Sequence, residues 1–376
     1  METLLWASAI IWCLLTINGT LNYLLNGKLT DAADKDLATY PKVSIIVPAR
    51  NEEQAIENSV TSFCEQEYPA EYEVIVVDDE STDSTPAILE KLKRKYPHLK
   101  VVKGSGPAKG WLGKPAALER GVKEAAGDCY LFADADIWYS EGLLKLAVNY
   151  MAHKNADFMT LGPRVVTKGV FEAALMSNIY FVGGCIFPGY LVERTKTPLF
   201  SIGAGVFNLI KKELFIKTGA FGSIKDRVVD DVMLGYMAKK AGGKAVVTQA
   251  TEHVSVRMYD GAMETIKGFR KNMFPALKKA PFLIPLPFVL GSIVSFVPYI
   301  GLIYNYMHSG TISTPAVISL VLMHWIFFSM FLVFRQPWYV TFLNPIRELG
   351  WWAIFAASFM EYYRRGGVHW RGRTFK

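Results

Sequence analysis

Four acidic clusters recur along the polar middle of the chain: Asn51-Glu52-Glu53, Asp78-Asp79, Asp134-Ala135-Asp136 and Asp230-Asp231. Hard divalent ions such as Mg2+ and Mn2+ take oxygen ligands of this kind, and in turn neutralise a departing diphosphate. Asp134-Ala135-Asp136 follows Cys129-Tyr130-Leu131-Phe132-Ala133, an apolar run that reads as a strand. Two carboxylates leaving a strand's carboxyl end enter one cleft, whereas an isolated D-x-D usually caps or solvates a loop.

Asp78 and Asp79 close a second strand-like run, Glu73 to Val77. A carboxylate there can accept a hydrogen bond from a nucleobase N–H or a ribose hydroxyl. Its competing use is to cap the helix starting at Pro86, which Asp83, Ser84 or Thr85 serve better. Asp79 is therefore expected to bind and Asp83 to cap. Lys109-Gly110-Trp111-Leu112-Gly113-Lys114 has the outline of a phosphate loop but is not a Walker A, because Ala108 stands where glycine is needed and Pro115 follows the lysine. Lys114 can still reach a diphosphate from a helix N-terminus; the alternative is a solvated lysine. Asp231, with Asp230 beside it, can take a proton from an acceptor hydroxyl or only stabilise the first turn of its helix.

Alternating elements position these groups. Val43–Val47, Glu73–Val77, Leu99–Val102 and Asp128–Ala133 read as strands; Glu52–Gln66, Pro86–Tyr96 and Pro115–Ala126 read as helices. Such alternation indicates βαβ units and a mostly parallel sheet, which binds ligands at the carboxyl ends of its strands. Pro48-Ala49-Arg50-Asn51, Asp78-Asp79 and Asp134–Asp136 then share one rim. Further strands are expected at Ser201–Ile210 and Lys244–Gln249, with a helix over Asp231–Ala241. Lys168–Tyr190 is apolar but Gly-rich and broken, and it reads as a segment against the membrane surface rather than as a clear span.

No charged residue lies between Glu2 and Lys28 or between Lys279 and Arg335. A spanning helix needs about 20 apolar residues, so residues 1–27 make one span, while 281–335 hold two, divided near His308–Pro315. The first stretch lacks the basic start and small-residue cleavage site of a signal peptide. Residues 41–260 form the polar domain and 261–280 a basic interfacial helix, in which Lys267, Arg270, Lys271, Lys278 and Lys279 have no acidic partner after Glu264. Residues 336–376 form a third membrane or interfacial segment with a basic tail. Residues 335–376 carry seven Lys/Arg against two Asp/Glu, so much of the net charge of +7 sits beside the membrane. With no basic strip interleaved with aromatics, nucleic acid is excluded as a partner. Lys28 and Lys35 follow the first span and no base precedes it, which puts the polar domain on the cytosolic side. Cys13, Cys64, Cys129 and Cys185 show no metal-ligand spacing and read as free thiols.

In order, Val47-Pro48-Ala49-Arg50-Asn51-Glu52, Val77-Asp78-Asp79-Glu80-Ser81-Thr82-Asp83, Gly113-Lys114-Pro115-Ala116-Ala117-Leu118, Phe132-Ala133-Asp134-Ala135-Asp136, Ile202-Gly203-Ala204-Gly205 and Val229-Asp230-Asp231-Val232-Met233-Leu234-Gly235 resemble family 2 glycosyltransferases of the GT-A fold. The resemblance covers residues 41 to about 275. It implies an α/β GT-A domain flanked by N- and C-terminal transmembrane helices. By motif position, Asp79 contacts the base, Asp136 with Asp134 holds Mg2+ or Mn2+, and Asp231 with Asp230 beside it deprotonates the acceptor, with inversion at the anomeric carbon. Pro48, Arg50, Glu52, Lys114 and Asp134 complete the expected nucleotide-sugar site.

The Q-x-x-R-W of processive members is absent; Val256-Arg257-Met258-Tyr259 and Gly268-Phe269-Arg270-Lys271-Asn272 stand in that region. The chain is thereby closer to the ceramide-glucosyltransferase-like and carotenoid- or hopanoid-associated branch. That branch implies a UDP-sugar donor, glucose by analogy, and a lipid acceptor at the plasma membrane of a prokaryote. The alternatives are a processive polysaccharide synthase and a catalytically silent membrane scaffold. Arg257, Arg270 and Lys271 serve either the diphosphate or lipid headgroups.

Overall fold

The computed structural model describes the chain except residues 228, 280–284, 366–367, 371–372 and 376, and except the side chains of 271–279, 285, 287, 362–365, 368–370 and 373–375. Helix α1 (Glu2–Leu25) comes first, then β1 (Val43–Ala49), α2 (Ile56–Cys64), β2 (Tyr72–Asp78), α3 (Thr85–Lys95), β3 (Leu99–Lys103) and α4 (Gly113–Lys123). Next come β4 (Cys129–Phe132), β5 (Ile137–Tyr139), α5 (Leu143–His153), β6 (Phe158–Gly162), β7 (Arg164–Val165), α6 (Val170–Tyr180) and α7 (Tyr190–Arg194). They are followed by β8 (Asn208–Lys211), α8 (Lys212–Lys217), α9 (Asp230–Lys240), β9 (Ala245–Gln249) and β10 (Val254–Val256). Four long helices follow, α10 (Ala262–Lys279), α11 (Pro285–Ser309), α12 (Thr314–Phe334) and α13 (Asn344–Arg365), and then the short strands β11 (Val368–Trp370) and β12 (Arg373–Phe375). The chain divides into two compact units, one of residues 25–164 and 189–257, the other of residues 1–24, 165–188 and 258–376.

The first unit is built on a seven-stranded sheet in the order β3-β2-β1-β4-β8-β6-β9. Pairs β1–β2, β1–β4, β2–β3 and β6–β9 are parallel; β8 runs antiparallel to both β4 and β6. The inner strands are covered on both faces, which accounts for unbroken apolar runs such as Val74-Ile75-Val76-Val77, all fully buried. Pro48 is tolerated in the central strand for a specific reason. Ile46 faces β4 and its carbonyl accepts the Ala133 N–H at 3.2 Å. Pro48, two residues on, faces the same side beyond the last β1–β4 pair, Ile46 with Phe132, so its missing N–H costs no ladder bond.

Two expectations are corrected here. The helix read from Glu52 begins at Ile56, because residues 50–53 form a rim loop and the Glu52 carbonyl accepts from Ala55 and Ile56 N–H, each at 2.9 Å. The strand read over Ser201–Ile210 is only Asn208–Lys211, because the backbone of Gly203 and Gly205 packs against the acidic residues of the site instead of joining a ladder.

In the other unit, Leu175, Trp351 and Ile354 form a core against which Ile266, Phe269 and Phe288 pack. Asn344, Arg347 and Glu348, polar residues within an apolar stretch, interlock. Arg347 donates to the side-chain oxygens of Asn178 at 3.0 Å, Asn344 at 2.7 Å and Glu348 at 2.5 Å, and its guanidinium lies over Phe181 and Phe327. This satisfies the demand that a charge buried among apolar helices be paired. Where glycines made Lys168–Tyr190 read as broken, the segment is helical from Val170 and widens into a π-helical stretch over Phe181–Ile186. Asn22 donates to the carbonyls of Gly184 and Phe187, each at 2.8 Å, and Asn18 to that of Cys185 at 2.8 Å. These amides cap the carbonyls at the end of the wide turn.

Among the described residues four helical segments are long and apolar enough to cross a membrane: Glu2–Ala32, Val170–Arg194, Phe288–Ser309 and Thr314–Phe334.

Candidate active site

The carboxyl ends of β1, β2 and β4 form a rim, with Ala49 in register with Asp78. The exits of β1 and β2 are locked together. Arg50 donates to the Asp79 carbonyl at 2.6 Å, and its guanidinium lies 3.7 Å from the Glu80 carboxylate. Asn51 and Glu80 both hold positive φ, 54° and 60°. Such a backbone persists where its surroundings over-determine it, and here Asn51 N–H donates to Ser81 Oγ at 3.0 Å while Asn51 Oδ1 accepts from Thr82 N–H at 2.8 Å. Glu52 N–H donates to Thr85 Oγ1 at 2.8 Å. Asp83 caps as expected, accepting from the N–H groups of Thr85 at 3.0 Å and Glu53 at 3.2 Å. Pro48 is half-buried on this rim, and Asp79 is buried, with its N–H on the Ala49 carbonyl.

Beside that rim, Lys114, Asp134, Asp230 and Asp231 line one cleft with Gly205 and Asn208. Lys114 stands in the first turn of α4, and the preceding Leu112 N–H donates to the Lys225 carbonyl at 2.8 Å, tying this turn to the segment before α9. Lys114 Nζ lies 2.6 Å from Asp134 Oδ1 and 3.8 Å from Asp230 Oδ2. Asp230 and Asp231 occupy the first turn of α9, where the helix dipole favours negative charge. Asp231 accepts the N–H of Gly205 on Oδ2 and that of Val232 on Oδ1, both at 2.8 Å. Tyr139, three residues past Asp136, donates to the Val206 carbonyl at 2.7 Å and so fixes the D-x-D turn against the same loop. Arg257 follows β10, its N–H 3.5 Å from the Asp136 carbonyl.

Burial and mutual charge both act on this cluster. Burial, reinforced by the charge of Asp134, pushes the Asp136 carboxyl above the usual range. Burial likewise raises Asp230 and Asp231, against the pull of Lys114 and with further repulsion among the carboxylates. For Lys114, burial alone lowers the pKa, but Asp134, Asp230 and Asp231 together outweigh it and hold the ammonium above its ordinary value. One ammonium thus faces more carboxylate than it neutralises, a setting that favours an added cation. Among the described residues no three His, Cys, Asp or Glu side chains form a ready-made metal cage. Two carboxylates completed by phosphate oxygens are nonetheless a usual Mg2+ set, so Asp134 and Asp136 fit a divalent ion that arrives with a diphosphate.

Arg270 corrects another expectation. Read as lacking an acidic partner, it is paired with Glu361 of α13 at 2.6 Å, and its carbonyl accepts from Ser358 at 3.1 Å. Lys271 belongs to α10, but its side chain lies outside the described residues. Gly205 carries no role in the sequence reading, although the Gly203/Gly205 spacing before an apolar run was the signal available for it.

A mostly parallel α/β sheet with an acidic cluster at its carboxyl rim is the arrangement of the GT-A fold. Residues 44–219 match Glycosyl transferase family 2, and the chain carries a domain of that family. The chain is 35% identical over 180 residues to beta-monoglucosyldiacylglycerol synthase of Synechocystis, a match covering 45% of this chain and 36% of that protein. The chain therefore spans about a third of that relative's length. It is 24% identical over 379 residues to 4,4'-diaponeurosporenoate glycosyltransferase of Staphylococcus aureus, covering 98% of both. Among solved structures, a mannosyltransferase from Pyrobaculum calidifontis in complex with GDP-Man and Mn2+ is similar in fold, with TM-score 0.52, 18% identity and coverage of 95% of this chain and 99% of that one.

Proposed function

We propose that the chain moves one hexose, glucose by analogy, from a UDP-sugar to the hydroxyl or carboxyl of a membrane lipid, with inversion at the anomeric carbon. The observation that carries this reading is the cleft in which Lys114, Asp134, Asp230 and Asp231 converge. A lipid acceptor is supported by the relatives, whose names carry diacylglycerol and diaponeurosporenoate, and by four apolar helices in the same chain. Residues 41–260 are read as the catalytic domain, on the cytosolic side because basic residues follow the first apolar stretch and gather after Arg335.

Asp136, with Asp134, would hold Mg2+ or Mn2+, which stabilises the charge that develops on the departing diphosphate. Arg50 and Asp79 shape the nucleotide end of the site, with Pro48 and Glu52 on the same rim. Asp231, fixed by two backbone N–H groups, takes the acceptor's proton when that proton is a hydroxyl's, as the new bond to the anomeric carbon forms. A carboxylate acceptor needs no such step. Lys114 lends positive charge beside Asp134, and the same role is proposed for Arg257, whose backbone N–H lies 3.5 Å from the Asp136 carbonyl.

The test is incorporation of radiolabelled sugar into extracted lipid by wild type, Asp231→Asn and Asp136→Ala. Loss of label is expected with Asp136→Ala for either acceptor and with Asp231→Asn when the acceptor is a hydroxyl; wild-type incorporation in both would overturn the assigned roles.

A further inference from the structure

The loop before β8 contains one residue that touches both halves of the acidic cluster. Gly205 accepts the Asp134 N–H on its carbonyl at 2.9 Å and donates its own N–H to Asp231 Oδ2 at 2.8 Å. Its absent side chain matters equally: a Cβ here would collide with Asp134 Oδ2 and come within 3.3 Å of Lys114 Nζ. The loop itself is pinned, since Ala204 N–H is shared between Thr160 Oγ1 and Asn208 Oδ1, each at 3.1 Å. Gly203 and Gly235 complete the close approach. A Cβ at Gly203 would strike the Asp231 carbonyl, and one at Gly235 the carbonyl of Ile202. The first two turns of α9 therefore lie against this loop backbone at a distance only glycine permits.

We propose that Gly205 is a positioning residue: its two backbone groups fix the separation between the Asp134 carboxylate and the Asp231 carboxylate, and its missing side chain leaves Asp134 room to face Lys114 and an incoming cation. The inference rests on the proposed function only in taking Asp134 as a cation ligand and Asp231 as the base. Displacing a group that orients a metal-binding carboxylate typically weakens metal binding by about 10- to 100-fold.

The experiment is a double-mutant cycle on the full chain in detergent, with Gly205→Ala, Asp134→Ala and the combined variant. Two quantities are read: melting of the metal-free protein, and calorimetric binding of Mn2+ with UDP. Gly205→Ala is expected to lower the melting temperature and to weaken Mn2+–UDP binding by about tenfold or more. In the Asp134→Ala background the added methyl meets no carboxylate, so the second substitution is expected to change melting little. Should Gly205→Ala alone fail to fold, recovery of a folded protein in the combined variant supports the same collision.

Equal melting losses in both backgrounds, a combined variant that also fails to fold, or a Gly205→Ala protein matching wild type in both readouts would overturn the proposal. Transfer assays distinguish the two readings. A wild type that moves no sugar while the cycle behaves as expected supports the glycine's role and overturns the function; transfer that survives while the cycle is additive overturns the glycine's role alone.

Discussion

Lys114 Nζ sits 2.6 Å from Asp134 Oδ1, in a cleft that Asp230 and Asp231 also line. This lysine offsets part of a negative cluster, and under the proposed function it would meet the diphosphate. Replacing it with methionine keeps the aliphatic bulk and removes the charge. Removing one preorganised electrostatic partner from such a site costs about 10²–10³ in turnover, so kcat for sugar transfer is expected to fall by that order. Steady-state kinetics with a UDP-sugar and lipid check it; a kcat within threefold or so of wild type would contradict the role.

Glu73 provides a pH prediction away from the site, near the start of β2. It accepts from Ser44 Oγ and from Ala126 N–H, each at 2.7 Å, and pairs with Lys100 at 2.7 Å. Burial alone would raise its pKa, but these partners prevail and hold it below the ordinary value of 4.5. The unfolded chain thus binds this proton at higher pH than the folded one. The stabilisation is present above about pH 4.5 and is lost as pH falls through the lower folded value. Glu73→Gln is expected to lower stability at neutral pH by about 1–3 kcal/mol, with the gap to wild type closing toward pH 3 or so. Thermal melts across pH check it, and a gap that widens in acid would contradict it.

The amides of Asn18 and Asn22 hold the carbonyls at the end of the π-helical stretch. Side-chain hydrogen bonds among membrane helices are worth about 0.6 kcal/mol on average and up to about 1.7. Asn22→Leu is expected to lower the melting temperature in detergent and to leave Mn2+–UDP binding at the wild-type level. Weakened nucleotide binding at unchanged melting would contradict this structural assignment.

Arg270 is paired with Glu361 of α13 at 2.6 Å, and a structural role for it is proposed in place of a diphosphate contact. Arg270→Met is expected to lower the melting temperature while leaving KM for the UDP-sugar unchanged. The exchanged pair Arg270→Glu with Glu361→Arg is expected to recover part of the loss. A rise in KM of about tenfold or more would return Arg270 to the nucleotide site.

The catalytic fold was legible because its signals are local. Buried runs such as Val74–Val77 and an apolar run ending in a D-x-D mark strands and their carboxyl ends without any knowledge of the partner strand. Asp83 as a cap was legible for the same reason. What stayed hidden depends on groups far apart in sequence. Arg270 and Glu361 are separated by the whole apolar hairpin, so the stretch around Arg270 read as unpaired. Glycines made residues 168–190 read as a broken segment, yet Asn18 and Asn22 satisfy the carbonyls that the wide turn releases. Gly205 was visible as part of a motif, but its use lies in the Asp134 and Asp231 atoms that approach it.

The account stands most directly on the chemical identity of the product. Purified chain incubated with UDP-glucose, Mn2+ and lipid extract yields a product whose mass and anomeric NMR signal can both be read. The predicted result is a lipid bearing one hexose, its anomeric configuration opposite to the donor's, and absent with Asp231→Asn when the acceptor is a hydroxyl. A polymeric product, a retained configuration, or lipid left unmodified would contradict the account.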